Sequence, residues 1–321
     1  MERYPEAERA FDLALWEMEL EQAWSWRVPA RAGDRDARTL LESLREAPVD
    51  SVERVLDRLW AFADPLYLIE GNDRKTEHFA RWTVATLRDG TRTPYGIRWG
   101  TDLEELLVRH GWEIGWEREM DPWMTGGDRV VGHKHPEGRD YLPPGRVLQT
   151  PVQAEPEELV ADRDRPRSLY APRYAPVILP IEGQVAVFPR GVSFLVIATH
   201  DLPTDTTRRA REDRPRPWME PEGRGTLPDA AGLYLIEAAT GRQAGAVVTD
   251  SLRGALTLEG GPGEHLLSVE SWSPGRRLAG RLRMALAHDP VPEDIPVLSD
   301  ILLVAAGDDP PLDLVDAASR A

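Results

Sequence analysis

The sequence contains no cysteine and only two lysines, Lys75 and Lys134. The absence of cysteine excludes disulfides, thiolate metal sites, iron–sulfur clusters and cysteine nucleophiles. The scarcity of lysine argues against Schiff-base chemistry and against lysine clamps for phosphate groups. No apolar run approaches the roughly 18 residues that a membrane-spanning helix needs. We therefore predict a protein with no cofactor and no transmembrane segment.

Positively charged residues are also fewer than negatively charged ones. The sequence has 39 Lys and Arg and 55 Asp and Glu, which gives a net charge of −16. Such a chain repels nucleic-acid phosphates and anionic membrane surfaces, so we predict no nucleic-acid partner. Residues 1–10, MERYPEAERA, are charged where a signal peptide is apolar. The sequence as written predicts a cytoplasmic protein. The alternative is export, with a leader that the sequence does not include.

Familiar catalytic motifs are missing as well. The sequence has no G-x-S-x-G, no G-x-x-x-x-G-K-[ST], no H-E-x-x-H, and no G-x-G-x-x-G after a strand. These motifs would mark a serine nucleophile, a phosphate-binding loop, a zinc site or a dinucleotide site. Their absence favours a binding protein over an enzyme.

The front of the chain is rich in tryptophan and patterned as helices. Nine of the 11 tryptophans precede residue 124. Apolar residues at helical spacing predict helices at 5–26, 36–47, 50–63 and 74–88. We expect Asp50 to be the N-cap of the third helix, with Glu53 completing a capping box. The first helix carries two apolar stripes, Phe11, Ala14, Leu15 and Met18 on one side and Leu13, Trp16, Leu20 and Trp24 on the other. We expect neighbours to cover both.

The back of the chain changes to the alternating pattern of strands. Short runs with β-branched or alternating residues, separated by Gly, Pro and Asp turns, predict eight strands, at 184–188, 192–200, 232–238, 245–249, 255–259, 265–272, 278–287 and 297–304. This spacing predicts an antiparallel β-sandwich and an α+β fold class overall. We divide the chain into a helical region at 1–90, a mixed α+β module at 91–148, a proline-rich connector at 149–176, and a sandwich at 177–321 with a long loop at 201–231.

One local pattern resembles a known family. Trp99-Gly100-Thr101-Asp102 is followed after eight residues by Gly111. This element resembles the signature of bacterial GWxTD-domain proteins, a family without an established biochemical role, although its order here is Trp-Gly-Thr-Asp and the segment LEELLVRH looks helical. The resemblance covers only about residues 95–117. It implies a helical front with a β-rich back and no particular chemistry. We also take Trp99 and Asp102 as candidate binding residues.

A Gly-Trp-Glu unit occurs twice at a four-residue step, so that Trp112-Glu113 is followed by Trp116-Glu117. Two indoles with adjacent carboxylates can bind a sugar, because aromatic faces stack on apolar sugar faces and carboxylates accept hydroxyl hydrogens. The interpretation that we favour is that both tryptophans have a structural role and fill the junction between domains.

His133 and His135 form the one close histidine pair of the sequence. In an extended chain both imidazoles lie on one side and can share a metal ion, with Glu137 or Asp140 adding a carboxylate. The interpretation that we favour is that hydrogen bonds from these histidines hold a loop in place. Farther upstream, Asp64, the turn at 70–73 and His78 can do acid–base chemistry if the fold brings them together, although carboxylates near a helix start more often serve as caps.

We conclude that the sequence encodes a non-enzymatic protein that acts by contact with a protein partner. Tryptophan and arginine, which are abundant here, are enriched in interaction hot spots. The first alternative is a hydrolase or glycan-binding enzyme whose site lies where helices meet strands. Its candidate residues are Glu113, Glu117, His133, His135 and Asp140. The second alternative is a peripheral subunit of a membrane or envelope complex, since members of the GWxTD family are often exported.

Overall fold

A computed structural model of the chain describes residues 4–120, 129–135, 142–159, 172, 174–175, 177–181, 183–202, 228–292 and 298–303. Within these residues the front is helical. The helices are α1 (Tyr4–Glu17), α2 (Leu20–Arg27), α3 (Arg35–Ser43), α4 (Val49–Ala63), α5 (Asp73–Arg88), α6 (Thr101–His110), α7 (Gly145–Gln149) and α8 (Pro156–Leu159). Short 3-10 turns at Ala30–Ala32, Leu44–Glu46 and Pro151–Gln153 connect them.

The described strands are β1 (Gly115–Glu119), β2 (Arg129–Lys134), β3 (Val177–Pro180), β4 (Val185–Arg190), β5 (Ser193–Asp201), β6 (Ala230–Glu237), β7 (Gln243–Thr249), β8 (Arg253–Gly260), β9 (Gly263–Ser273) and β10 (Leu278–His288). β1 and β2 form an antiparallel hairpin. The others form one sheet in the order β3-β10-β9-β6-β7 and another in the order β4-β5-β8. Every pairing is antiparallel except the parallel pair β3–β10.

The two sheets pack face to face, which confirms the predicted α+β class and the C-terminal sandwich. Phe194 and Val196 of β5 meet Leu233, Leu235 and Leu267 of the larger sheet in a core of fully buried side chains. Alternate residues of each strand point into this core, as period-two patterning requires.

The helical region covers the other face of the five-stranded sheet. Leu56 and Leu59 of α4 share a buried core with Ile236 of β6 and Leu266 of β9. Part of the predicted connector also belongs to this core, since Ala154 and Leu159 are buried in it. The chain therefore stacks three layers, with the larger sheet in the middle. The predicted boundaries at residues 90, 148 and 176 stay predictions.

Three details of the helical front differ from the sequence-based expectation. The predicted helix at 5–26 is two helices, because Glu19 is extended with φ −57° and ψ 140°. Pro48, not Asp50, precedes the first turn of α4, and it provides no side-chain cap. The N-cap of α5 is Asn72, whose carboxamide oxygen accepts a hydrogen bond from the Lys75 amide at 2.8 Å.

The prediction that neighbours cover both faces of the first helix is wrong. Phe11 packs against Phe79 of α5, with ring centroids 5.5 Å apart, so one face is covered. The other face is open at Leu13, Trp16 and Leu20, which are 70%, 85% and 89% exposed, whereas Trp24 is half-buried against the core that contains α4. Periodicity shows that a face is apolar, but it does not show whether this chain supplies the cover.

The strand predicted at 297–304 is also absent from the described residues 298–303. This segment has no regular structure, although it runs beside β4. The Asp300 amide donates to the Val187 carbonyl at 3.2 Å, and the Leu303 amide donates to the Gln184 side chain at 2.9 Å. These bonds are too irregular to make a ladder. Most of the loop predicted at 201–231 lies outside the described residues.

Candidate functional site

The β1–β2 hairpin brings together residues that the sequence singles out. Its register pairs Trp116 with His133 directly across the two strands. Their rings meet edge to face with centroids 4.6 Å apart. His135 lies two residues on, and its ring is nearly parallel to that of His133 at 6.0 Å, as expected for side chains on one side of an extended chain.

The helical region supplies the rest of this group. Trp99, just before α6, is buried, and its ring centroid lies 5.6 Å from that of His133. Arg88, at the end of α5, places its guanidinium 5.1 Å from the Trp99 ring centroid. The same guanidinium donates to the Glu113 carboxylate at 2.8 Å. We call Arg88, Trp99, Glu113, Trp116, His133 and His135 the His133 cluster.

The charges in the His133 cluster are arranged so that one pair is ionised and one ring is neutral. Burial lowers the pKa of His133, His135 and Arg88 lower it further, and Glu113 opposes them. Burial raises the pKa of Glu113, but hydrogen bonds from its own amide and from Arg88, together with the Arg88 and His133 charges, leave that pKa below its usual value. At neutral pH the cluster holds an Arg88–Glu113 ion pair beside an uncharged His133.

Several polar atoms of the His133 cluster lack a hydrogen-bond partner among the described residues. They are both ring nitrogens of His133, Nε2 of His135, Oε2 of Glu113 and Nε1 of Trp99, all buried. His135 Nδ1 lies 2.7 Å from the Gly111 carbonyl, so this nitrogen donates and Nε2 is left as an acceptor. Buried polar atoms without partners are costly, which makes the cluster a candidate for binding a small polar group.

The geometry gives little support to a metal ion here. The part of the chain that the structure describes holds no group of three His, Asp or Glu side chains arranged to bind one. His133 and His135 supply two imidazoles, whereas a structural zinc site usually has four protein ligands and a catalytic one three. Asp140, the predicted third ligand, and Glu137 lie outside the described residues. The predicted metal site therefore stays a prediction.

The other predicted site residues lie apart from this arrangement. Asp102 is exposed in the first turn of α6, where a carboxylate favours the helix dipole. Trp112 is half-buried and packs on the core between α5 and α6. Glu117 is exposed on β1. The structure thus brings together Trp99, Glu113, Trp116, His133 and His135, but not Asp102 or Glu117.

Sequence reasoning missed two neighbours of these residues. Arg88 ends α5 and belongs to no motif, so only the fold reveals its contact with Glu113. Tyr95, half exposed, meets the Trp116 ring at 4.7 Å. Its place in a turn close to the Trp-Gly-Thr-Asp element is the only signal that points to it.

The acid–base residues proposed upstream have structural contacts. An oxygen of Asp64 accepts a hydrogen bond from the Leu66 amide at 3.2 Å, within a turn. His78 is fully buried, with Nε2 2.8 Å from the Trp26 carbonyl. Asp64 lies against the sheet, beside Arg283, whereas His78 lies against α2.

A second candidate surface is the open side of α1 and the start of α2. Leu13, Trp16 and Leu20 form an exposed apolar set there, which we call the α1 face. Single exposed apolar residues are ordinary, but three large ones on one short stretch indicate a contact surface.

Comparison with known proteins adds no relative. No family model and no curated protein matches the chain. None of the helices among the described residues is long and apolar enough to cross a membrane. The resemblance of residues 99–102 to the GWxTD family stays a prediction.

Proposed function

We propose that this protein acts by binding a protein partner through the α1 face. The observation that carries the proposal is the exposure of Trp16, which is 85% accessible between two exposed leucines. Tryptophan is among the residues most enriched in interaction hot spots, and it is highly buried on average in folded proteins. An apolar partner surface would remove all three side chains from water at once.

The α1 face is held in place from behind. Phe11, Leu15 and Met18 pack against the core formed by α5 and α6. The helix therefore presents Leu13 and Trp16 on a fixed support. A preformed surface of this kind loses little conformational entropy on binding.

Charge around the α1 face indicates the chemistry of the partner. Glu17 and Glu19 are exposed beside it, and the whole chain carries a net charge of −16. A partner with an apolar centre flanked by Lys or Arg would match this surface, and the charges would speed association. The acidic rim also disfavours pairing of two copies of this chain.

Affinity capture with matched variants tests the proposal. Wild type, Trp16→Glu and Leu87→Glu are immobilised in equal amounts and exposed to an extract of the source cells. Leu87 is a suitable control because it is 74% exposed at the C-terminal end of α5, about two turns from Phe79, on which α1 packs. We expect a protein that wild type and Leu87→Glu retain and Trp16→Glu does not.

The captured protein is then purified and its Kd measured. We expect Trp16→Ala to raise the Kd about 30-fold or more, as a hot spot does. Equal retention by all three proteins, or equal Kd values for wild type and Trp16→Ala, would overturn the proposal. A partner in the membrane fraction would favour the peripheral envelope subunit, whereas one in the soluble fraction would favour a cytoplasmic role.

The His133 cluster supports a second candidate function, the binding or hydrolysis of a glycan. Trp116 and the half-exposed Tyr95 offer aromatic faces next to the Glu113 carboxylate. Aromatic faces and a carboxylate suit a sugar ring. The test is a panel of soluble oligosaccharides with wild type, Trp116→Ala and, as control, Trp16→Ala. This candidate requires binding that Trp116→Ala abolishes and Trp16→Ala leaves intact.

A further inference from the structure

A cavity of about 110 Å³ lies between α2, α5 and α6 and the turn that follows α2. Its wall includes Trp24, Val28, Arg31, His78, Trp82 and Val108. His78 and Val108 are buried at its base, whereas Ser25 and Arg31 are exposed and border it toward solvent. The cavity shares no lining residue with the α1 face or with the His133 cluster.

The buried wall of this cavity contains one acceptor that the fold leaves unused. His78 Nε2 lies 2.8 Å from the Trp26 carbonyl, which can only accept, so Nε2 carries the proton. Nδ1 then has a lone pair, and it is buried without a hydrogen-bond partner in the described part of the chain. Burial, with the Arg74 and Arg81 charges, lowers the pKa of His78 to about 3, so the ring is neutral at physiological pH.

The same wall contains one unused donor. The Trp82 indole nitrogen is buried, and no described residue accepts a hydrogen bond from it. The Trp82 ring itself is fixed, because it stacks on Trp26 at 6.1 Å with an interplanar angle of 20°. A guest with a group that both donates and accepts would satisfy Trp82 and His78 together.

The remaining wall is apolar or electrically compensated. Val28, Val108 and the Trp24 ring offer no strong hydrogen-bonding group to the interior beyond one indole N–H. Arg31 lies 5.6 Å from the Trp82 ring centroid and forms a 2.6 Å ion pair with Glu104. Because this charge already has a partner, the cavity does not call for an anionic guest.

We propose that this cavity binds a small, flat, neutral molecule that carries one hydroxyl or N–H group, such as a phenol. The cavity is smaller than the apolar protein cavity of about 150 Å³ that accommodates benzene, and the opening at Ser25 supplies the additional room that a phenol needs. The ring lies against Trp82, Val28 and Val108, and the hydroxyl donates to His78 Nδ1 and accepts from Trp82 Nε1. Ligand binding here is independent of the proposed protein contact at the α1 face.

Titration with phenol and toluene, followed by ligand-observed NMR, tests the proposal. The two molecules have nearly the same shape, but toluene leaves both buried nitrogens unpaired. We expect saturable binding of phenol in the millimolar range or tighter, and binding of toluene weaker by about tenfold or more. Equal affinities, or no saturable phenol binding up to about 10 mM, would overturn the proposal.

A pair of matched variants ties the binding to this cavity. Ser25 and Ser43 are both exposed, and each hydroxyl donates to the carbonyl three residues earlier, at 2.8 and 2.6 Å. Ser25→Phe fills the opening, whereas Ser43→Phe adds the same ring to α3. We expect phenol binding to fall at least tenfold in Ser25→Phe and to stay unchanged in Ser43→Phe. Unchanged binding in both variants would place the phenol elsewhere and overturn the assignment.

A second pair isolates the hydrogen bond. Trp82→Phe removes the indole N–H from the cavity, and Trp272→Phe makes the same change at a buried indole beside Leu66 and Ala279. We expect Trp82→Phe to reduce the preference for phenol over toluene and Trp272→Phe to keep it. The ratio of two affinities is compared, so a general loss of stability does not imitate this result. An unchanged ratio in Trp82→Phe would contradict the donor role.

Discussion

Arg283 and Glu270 form an ion pair at 3.2 Å with side chains that are 1% and 0% exposed. They lie on the neighbouring strands β10 and β9, on the face of the larger sheet that meets the helices. Arg283 also donates to the carbonyls of Phe62 and Asp64 at the end of α4, at 3.1 and 2.7 Å. The pair thus fastens the helical layer to the sandwich.

Neighbouring groups complete this connection. The second Glu270 oxygen accepts a hydrogen bond from the Leu68 amide at 3.1 Å, and Arg281 donates to the Pro65 carbonyl at 2.7 Å. The Arg283 guanidinium also lies 4.4 Å from the Tyr67 ring centroid. Residues 62–68 are therefore held to the sheet chiefly by charged side chains that donate to, or accept from, the backbone.

Removing one member of this pair should be more harmful than removing both. We expect Glu270→Leu and Arg283→Met, each made alone, to lower the free energy of unfolding by about 3–5 kcal/mol, because the remaining charge then stays buried without its counterion. In the double variant Glu270→Leu/Arg283→Met the loss should be smaller than the sum of the single losses. Urea unfolding of the four proteins in this cycle measures the coupling.

The exposed pair Arg45–Glu21 provides the comparison, since its side chains are 57% and 82% exposed. Glu21→Ala should change the free energy of unfolding by less than about 1 kcal/mol. Additive losses at Arg283 and Glu270 would show that the pair does not act as a unit.

The sequence predicts the strands of this region but not its charged contact. Alternation along β10 shows that Leu282 and Met284 share a face, and both pack into the sandwich core. Arg283 therefore points to the other face of the strand. The sequence pattern of β10 alone would predict that this face is exposed to solvent. That this face is covered by α4, and that Glu270 lies within reach, depends on tertiary packing and strand register.

The candidate site likewise combines features that local sequence patterns predict with features that depend on tertiary packing. Local patterns single out Trp116 and His133, but only the hairpin register places one across from the other. Arg88 joins them from a helix end that carries no recognisable motif. Conversely, the apolar periodicity of α1 correctly marks Trp16 as part of a stripe, whereas the prediction that this stripe is buried is wrong.

Close backbone packing makes Gly145 sensitive to the smallest substitution. A Cβ added there would lie 2.3 Å from the Ala37 amide nitrogen, at the start of α3. The Gly145 amide also donates, at 3.3 Å, to the Asp34 carboxylate that caps α3. We expect Gly145→Ala to cost about 2 kcal/mol or more, because α7 and α3 must separate.

Gly275→Ala is the matched control, since a Cβ there would meet no atom within 4 Å and the residue lies in an exposed turn. Its free energy of unfolding should stay within about 0.5 kcal/mol of wild type. Chemical denaturation of both variants gives the comparison. If the two substitutions cost the same, the contact between α7 and α3 is not as tight as the structure has it.

His78 should make the protein sensitive to acid. Burial, together with Arg74 and Arg81, lowers its pKa to about 3 in the folded protein, against about 6.5 in the unfolded chain. The unfolded state therefore binds more protons between these values. The stability that neutral His78 contributes is complete above about pH 6.5 and is lost as the pH falls toward 3, at about 1.4 kcal/mol per pH unit.

His78→Gln isolates this contribution, because glutamine keeps an N–H near the Trp26 carbonyl and does not titrate. Plotted against pH, the difference in unfolding free energy between wild type and variant should be flat above about pH 7 and change steadily below about pH 6. Other titrating groups are common to both proteins and cancel. A difference that is constant down to about pH 4 would mean that His78 is not buried as described.

The His133 cluster predicts two pKa changes of opposite sign. Burial lowers the pKa of His133, Arg88 adds to this effect, and Glu113 opposes it. Glu113→Gln removes the negative charge that favours the imidazolium, so the pKa should fall further. Arg88→Met removes a positive charge and releases Glu113 from its ion pair, so the pKa should rise. Imidazole ¹⁵N chemical shifts recorded from about pH 4 to pH 8 follow the ring directly, and His133→Gln assigns its signals.

Lys134→Met completes this comparison, because Lys134 follows His133 on β2 and its exposed side chain points to the opposite face of the strand. This variant removes a positive charge from an adjacent residue without touching Arg88 or Glu113. We expect it to move the His133 titration less than Arg88→Met does. Opposite shifts in the Glu113 and Arg88 variants, with little change in Lys134→Met, require His133 to lie between that acid and that base. Shifts of the same sign would instead mean that the hairpin does not pack on α5 and Trp99 in this way.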